Sequence, residues 1–265
     1  MLSHALHHWL STLRVLASLR MPSIIGDIIR SMLDIKTREK IVTHTKNFWE
    51  EHVKTKQFTD LASGKEIGHR IADYVDDQTV SYLKIDSDVT VKNEINLRGT
   101  TIKRSMGDLW IFANNMYNPV NIKSGITTNG NPNVVSLAKL IDRLFKHQID
   151  SYYLLIVKTP LVDGLITGTT PKVFLIDLLD YLDYVNFDAG PGQVMLKEKD
   201  LYAELLKEKQ PIELTLLQKV QKCMAIMENG YERLIINREQ QLNKYRVNLN
   251  TFSVKIIVQD GLNFG

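Results

Sequence analysis

Two short apolar stretches joined by a polar turn stand out in the middle of the chain. Residues 107–112 and 119–123 are mostly apolar, and residues 113–118 between them include three asparagines. A polar turn between two apolar runs of similar length is typical of a β-hairpin. Residues 152–157 form a third apolar run, which predicts a buried strand.

Apolar residues recur at helical spacing on both sides of this hairpin. The three- to four-residue repeat predicts amphipathic helices at residues 1–20, 24–33, 37–55, 63–75, 133–145, 201–207 and 214–245. The last helix carries an apolar stripe that is typical of a core face, with a dimer seam as the alternative: Leu217, Val220, Met224, Met227, Tyr231, Leu234 and Ile235. Alternating apolar residues at 251–258 predict a final strand.

The hairpin carries three polar residues whose chemistry is complementary. Asp108 begins the first strand, and Asn121 and Lys123 lie near the end of the second. Because residues two apart on a strand point to the same face, Asn121 and Lys123 emerge together, and the hairpin returns them beside Asp108. A carboxylate and an amide oxygen can hold a divalent cation. An ammonium beside them can polarise a phosphate or its attacking water.

This hairpin and the order of the elements around it resemble a known nuclease core. The spacing from Asp108 to Lys123 is similar to that in the HincII-like family of blunt-cutting type II restriction endonucleases, which belongs to the PD-(D/E)XK superfamily. Residues 131–136 resemble the segment that opens the following helix in this family, and residues 186–193 resemble, more loosely, a loop that contacts DNA. The resemblance covers residues 60–200. The chain departs from the usual pattern at Asn121, where the family normally has an aspartate.

The resemblance implies an α/β (α+β) fold with a mixed central sheet flanked by helices, and Mg²⁺-dependent hydrolysis of DNA phosphodiester bonds. Asp108 would be the central Mg²⁺ ligand. The Asn121 oxygen would be a weaker, neutral ligand or would orient a bound water, and the main-chain carbonyl of Ile122 would add another oxygen. Lys123 would lie by the scissile phosphate. Glu66 either completes this catalytic group or only caps its own helix, as in a capping box.

Segments rich in small polar residues are the candidates for DNA contact. Hydroxyls, amides and backbone N–H groups bind phosphates, and Asn and Gln side chains can read adenine edges in the major groove. The candidate DNA-binding residues are Lys103, Arg104, Ser124, Asn129, Asn131, Asn133, Asn186 and Gln193. Loops are ordinarily rich in such residues without any ligand, so each contact has a purely structural alternative.

Composition narrows the class of protein without identifying a ligand. A length of 265 residues suits one endonuclease domain, with a helical extension at 1–60, a catalytic core at 61–200 and C-terminal helices with a final strand at 201–265. A net charge of +3 is too small to predict nucleic-acid binding from bulk charge. The single cysteine, Cys223, is expected to be a buried apolar residue. Residues 1–20 lack acidic side chains, as presequences do, but a packing helix is favoured.

We therefore expect a homodimeric, Mg²⁺-dependent type II restriction endonuclease that cuts a short palindromic site in double-stranded DNA. Two-fold related subunits match a palindromic target. The sequence has no run of about 20 apolar residues and no phosphate-binding loop with Lys-Ser/Thr. We therefore expect no membrane span, no nucleotide cofactor and a cytoplasmic location in a bacterium or archaeon. A repair nuclease or junction resolvase on the same core, or a non-catalytic DNA-binding protein, are the alternatives.

Overall fold

A computed structural model describes residues 33–53, 83, 90–93, 106–113, 116–126, 131–159, 161–162, 165–166, 171–209 and 211–262. The helices predicted at residues 1–20 and 63–75, and nearly all of the one at 24–33, lie outside the described residues. The same holds for Glu66, Lys103, Arg104 and Asn129.

The described strands form one large sheet, one small sheet and a two-stranded ribbon. The strands are β1 (Thr90–Asn93), β2 (Leu109–Ala113), β3 (Met116–Ile126), β4 (Asn133–Ser136), β5 (Tyr153–Thr159), β6 (Leu161–Val162), β7 (Leu165–Ile166), β8 (Lys172–Asp177), β9 (Val185–Asp188) and β10 (Gln193–Leu196). The large sheet has the order β1-β2-β3-β5-β8. Strands β3 and β5 pair in parallel, and the other neighbours in this sheet are antiparallel.

Four α-helices lie within the described residues. They are α1 (Ile35–Phe48), α2 (Leu137–Phe145), α3 (Glu198–Leu205) and α4 (Leu216–Leu262). Helix α1 starts where the Asp34 side chain accepts a hydrogen bond from the Thr37 N–H at 2.7 Å, which satisfies one of the free donors of the first turn. None of the helices in this part of the chain is long and apolar enough to cross a membrane.

Each face of the large sheet is covered by a separate hydrophobic cluster. Because side chains alternate along a strand, Tyr153 and Leu155 of β5 pack with Ile41 and Phe48 on one face. The even-numbered residues of β5 face the other cluster, which contains α2, the start of α4 and the small sheet β4-β10-β9. The fold is therefore a mixed α+β arrangement with helices on both faces, as the sequence predicted.

Helix α4 differs most from its predicted form. The predicted strand at residues 251–258 is wrong, because α4 continues without a break from Leu216 to Leu262. A short alternating apolar run is compatible with either structure, and extending an existing helix fixes one residue for each new hydrogen bond. The predicted apolar stripe is only partly a core face: Val220 and Met227 are buried, whereas Leu217 and Ile235 are exposed.

Two further segments differ from prediction in the small sheet. Residues 133–136 were predicted to open a helix but form β4, and the helix starts at Leu137. The resemblance predicts a loop at residues 186–193, yet the ends of this segment belong to β9 and β10 and only a tight turn joins them. In both cases cross-strand pairing with β10 selects the extended conformation, and pairing with a distant strand is not encoded in local periodicity.

Candidate active site

The predicted hairpin consists of β2 and β3, with Asp108 directly before β2. Its register pairs Leu109 with Val120 and Ala113 with Met116, so the turn is shorter than predicted. Gly107 makes the approach possible, because a Cβ atom there would lie 2.9 Å from the main-chain oxygens of both Leu109 and Val120. Only glycine lets the chain approach the two strands this closely, and the next residue, Asp108, reaches Ile122 in the middle of β3.

The Asp108 carboxylate is fixed to the second strand of the hairpin. Its Oδ2 accepts a hydrogen bond from the N–H of Ile122 at 2.7 Å. The N–H and C=O of a strand residue point to the same side of the strand. The Ile122 carbonyl therefore also points toward the Asp108 side of β3, beyond the end of β2. The Asp108 carboxylate and the Ile122 carbonyl oxygen thus lie on the same side of β3.

The same carboxylate interacts electrostatically with Lys123. Partial burial raises the pKa of Asp108 above its ordinary value, and the Ile122 hydrogen bond and the Lys123 ammonium act in the opposite direction. Lys123 itself is half-buried. The predicted neighbourhood of Asp108 and Lys123 is therefore present in the structure.

Asn121 lies at the centre of the site and is buried, with 6% of its surface exposed. Its side-chain Nδ2 donates to the carbonyl of Val134 on β4 at 3.5 Å. Its Oδ1 is buried and has no hydrogen-bond partner among the described residues. A buried acceptor without a partner costs about 1–3 kcal/mol, and such an atom requires an explanation. A bound cation is one explanation that suits an amide oxygen.

Tyr152 is a member of this site that the sequence did not reveal. Its ring is fully buried, and its hydroxyl donates to the main-chain oxygen of Met106. Burial and the negative charge of Asp108 raise the pKa of Tyr152, while a hydrogen bond with the Asn121 side chain lowers it. The tyrosine therefore lies in the core close to both Asp108 and Asn121. Nothing in the local pattern distinguishes it from an ordinary buried strand residue.

The available oxygen atoms fit a hard divalent cation. Asp108 offers a carboxylate, Asn121 offers the partnerless Oδ1, and Ile122 offers its carbonyl. The described residues contain no group of three His, Cys, Asp or Glu side chains suited to a metal. Mg²⁺ is commonly held by only one or two carboxylates with several waters and substrate oxygens, so the donors present at this site are compatible with it.

A buried ion pair lies on the same face of the sheet as Lys123. Lys123 pairs in register with Ile156 of β5, and Lys158 is two residues further along that strand. The Lys158 ammonium forms a salt bridge with Glu198 at the start of α3 and lies 5.7 Å from the centre of the Tyr202 ring. The sequence did not reveal this pair, whose two charges compensate each other close to the site.

Three of the predicted DNA-binding residues share one surface. In the small sheet, Met195 of β10 is opposite both Asn133 and Asn186. Directly opposite residues point to the same face of a sheet. Gln193 lies two residues before Met195 on β10, so its side chain points to that face as well. Asn133 and Asn186 are exposed, whereas Val134 and Phe187 point into the core.

The remaining described candidates are more scattered. Asn131 is exposed just before β4. Ser124 lies within β3 opposite Val157. The contact from Asn121 to Val134 links the hairpin to the small sheet.

Comparison with known proteins adds no relative to these observations. No family model and no curated protein sequence matches the chain.

Proposed function

We propose that this protein is a Mg²⁺-dependent type II restriction endonuclease that hydrolyses phosphodiester bonds at a short palindromic site in double-stranded DNA. The observation that carries the proposal is the hydrogen bond from the Ile122 N–H to the Asp108 carboxylate. This contact holds the carboxylate beside the Asn-x-Lys segment, so that one acid, one amide oxygen and one ammonium lie together. The resemblance of the hairpin to PD-(D/E)XK nucleases supports the same reaction.

Each residue in this arrangement has a defined task. Asp108, Asn121 and the Ile122 carbonyl would hold a Mg²⁺ ion, which when bound would supply Lewis-acid stabilisation and lower the pKa of the attacking water. Lys123 binds a non-bridging oxygen of the scissile phosphate and stabilises the negative charge that develops there. Tyr152, on the core side of the site, keeps the Asn121 side chain and the Met106 main chain in place. Glu66 remains a candidate additional ligand.

The exposed face of the small sheet is the proposed DNA-contacting surface. Asn133, Asn186 and Gln193 offer amide groups that can pair with adenine edges, and Asn131, exposed just before β4, offers another amide. Such an enzyme would act as a homodimer, because two-fold related subunits read the two halves of a palindrome. It would act on DNA in the cytoplasm of a bacterium or archaeon.

Plasmid digestion separates this function from its alternatives. The purified protein is incubated with supercoiled plasmid in Mg²⁺, and the products are resolved on a gel. Discrete fragments support a site-specific endonuclease. Random nicking, or cutting only at branched substrates, indicates a repair nuclease or junction resolvase. If the protein binds DNA but cleaves neither plasmid in Mg²⁺ nor branched substrates, it is a non-catalytic DNA-binding protein.

A further inference from the structure

The outer part of α4 carries a polar stripe along one side of the helix. From Glu232 to Phe252 the side chains are almost all exposed, so this part of α4 extends beyond the core. Positions three or four residues apart lie on one side of a helix, and six polar positions here fall within about 80° of each other at 3.6 residues per turn. The polar stripe consists of Arg233, Asn237, Gln240, Lys244, Asn248 and Thr251.

The polar stripe contains no acidic residue. Two of its side chains are cations, three are amides and one is a hydroxyl, so every member can donate a hydrogen bond. Glu239 is the only acidic residue between positions 233 and 252. At about 100° per residue, Glu239 lies roughly 140° from the middle of the stripe. The charges and hydrogen-bond donors on this side of α4 therefore suit a polyanion.

The polar stripe begins at a groove that borders the small sheet. Strand β9 is at the edge of that sheet, and a groove of about 480 Å³ lies between β9 and α4. Asn186 and Lys197 line the groove on the side of the sheet, and Asn229 and Arg233 line it on the helix, with Glu232 as its one carboxylate. Asn186 also belongs to the exposed face of the small sheet. The polar stripe therefore continues the surface that is proposed to contact DNA.

We propose that the polar stripe of α4 binds the phosphate backbone of double-stranded DNA beside the segment that the small sheet contacts. This inference rests on the proposed action on DNA, and it extends the bound duplex beyond the recognition site. From Arg233 to Thr251 the stripe is about 27 Å long at 1.5 Å per residue, which corresponds to roughly eight base pairs at 3.4 Å each. Arg, Lys, Asn, Gln and Thr are among the side chains that bind phosphate oxygens without reading sequence. The contact therefore adds affinity for any duplex.

Both cations of the polar stripe are accessible to a phosphate. Arg233 and Lys244 are exposed. The Arg233 Nε donates to the Asn229 carbonyl at 3.2 Å, which uses only one of the five N–H groups of a guanidinium. A lysine or arginine that binds a DNA phosphate releases counterions, so the affinity falls as the salt concentration rises. The contribution of each cation can therefore be measured from the salt dependence of binding.

The first experiment compares two cations that are two residues apart on α4. Lys244 lies in the polar stripe, whereas Arg246 lies on the opposite side of the helix, and both are exposed. Binding of the full chain to a duplex of arbitrary sequence and about 30 base pairs, which is longer than the stripe, is measured in Ca²⁺ by fluorescence anisotropy at several salt concentrations. Lys244→Glu should weaken binding on the order of tenfold and reduce its salt dependence, and Arg246→Glu should change both much less. Equal effects of the two substitutions, or no binding by the unmodified protein, would overturn the proposal.

A photochemical cross-link tests the position of the DNA directly. Asn248 belongs to the polar stripe and Asn250 lies on the opposite side of the helix, and both are exposed. Because Cys223 is buried, a cysteine introduced at either position can be labelled selectively with a benzophenone maleimide. Asn248→Cys should cross-link to the duplex with a several-fold higher yield than Asn250→Cys. Equal yields would rule out the polar stripe as the side of α4 that faces DNA.

Neither measurement requires cleavage, so the outcome is separate from that of the endonuclease proposal. Cleavage of DNA with equal binding by the Lys244 and Arg246 variants would overturn this inference and leave the proposed function intact. The expected differences in a protein that never cleaves DNA would support this inference and contradict the endonuclease. Sedimentation of the protein with anionic lipid vesicles, without binding to the duplex, would assign outer α4 to a membrane surface and overturn the proposal.

Discussion

The Asp108 carboxylate accepts a 2.7 Å hydrogen bond from the main-chain N–H of Ile122, the residue between Asn121 and Lys123. Two strands that are neighbours in the sheet are thus joined by a side chain at the point where their own pairing ends. The contact fixes the position of the carboxylate independently of any ligand. The carboxylate is therefore already held in place without a ligand, which is what the proposed nuclease site requires.

Replacing Asp108 by asparagine should abolish Mg²⁺-dependent cleavage without unfolding the protein. The amide oxygen can still accept the Ile122 hydrogen bond, so the substitution removes the charge and preserves the shape. Cleavage rate and thermal unfolding should be measured together, with Asp142→Asn as the control, because the Asp142 ion pair with Lys146 is exposed. Near-normal cleavage by the Asp108 variant would locate the active site elsewhere.

Lys123→Met should lower kcat by about 100-fold or more, because an ammonium at the phosphate acts mainly on the transition state. The same substitution removes a charge that lowers the pKa of Asp108. The carboxyl pKa of Asp108, followed by NMR titration without metal, should therefore move further upward. Lys139→Met, at an exposed site on α2, should change neither quantity. A raised KM with unchanged kcat would limit Lys123 to phosphate positioning.

Asn121 should control the affinity for Mg²⁺. Asn121→Asp adds a negative charge to the donor set and should shift the Mg²⁺ titration of cleavage to lower concentration. Asn121→Ala removes the partnerless oxygen and should shift the titration to higher concentration. If both variants titrate like the unmodified protein, Asn121 does not contact the metal.

Gly230→Ala should destabilise the protein although alanine normally favours a helix by about 1 kcal/mol. A Cβ atom at this position would lie 2.3 Å from the Phe187 ring, which packs edge-on against Tyr231. Overpacking of this kind costs about 1–3 kcal/mol. Chemical denaturation should show the loss, and adding Phe187→Leu should recover part of it. Asn229→Ala, one residue earlier and exposed, should be neutral or stabilising.

Lys219→Met should destabilise the protein by about 3–5 kcal/mol, because it leaves two buried carboxylates without their cation. Lys219 contacts Asp177 at 2.6 Å and Asp180 at 3.4 Å. Burial and Asp177 already raise the pKa of Asp180, and Lys219 lowers it, so the variant should raise this pKa further. A carboxyl whose folded-state pKa is raised loses stability as the pH rises through that pKa.

The loss in the free energy of unfolding caused by Lys219→Met should accordingly be larger at pH 8 than at pH 5 in denaturation experiments. Lys222→Met is the matched control on the same helix, since its ion pair with Asp183 is exposed and contributes less than about 1 kcal/mol. A deficit that does not depend on pH would mean that the carboxylates stay solvated in the variant.

Cys223 illustrates an expectation from composition that the structure confirms. The side chain is fully buried, and burial together with the negative charge of Asp177 raises the pKa of its thiol to about 12. A thiol with so high a pKa is a poor nucleophile. Its expected role as a small apolar core residue therefore agrees with its environment.

The sequence by itself determined the local features of this protein. Periodicity located most of α1, α2, α3 and β5, and the two-residue repeat of a strand was enough to predict that Asn121 and Lys123 share a face and return beside Asp108. Tertiary structure decided the rest. Pairing with β10 turned residues 133–136 into a strand, a close contact with Phe187 joined α4 to β9 at Gly230, and the parallel pairing of β3 with β5 brought Tyr152 close to Asn121. The physical reason is that hydrophobic periodicity depends on which side of a helix or strand is buried, whereas residues distant in sequence determine which element packs against that side.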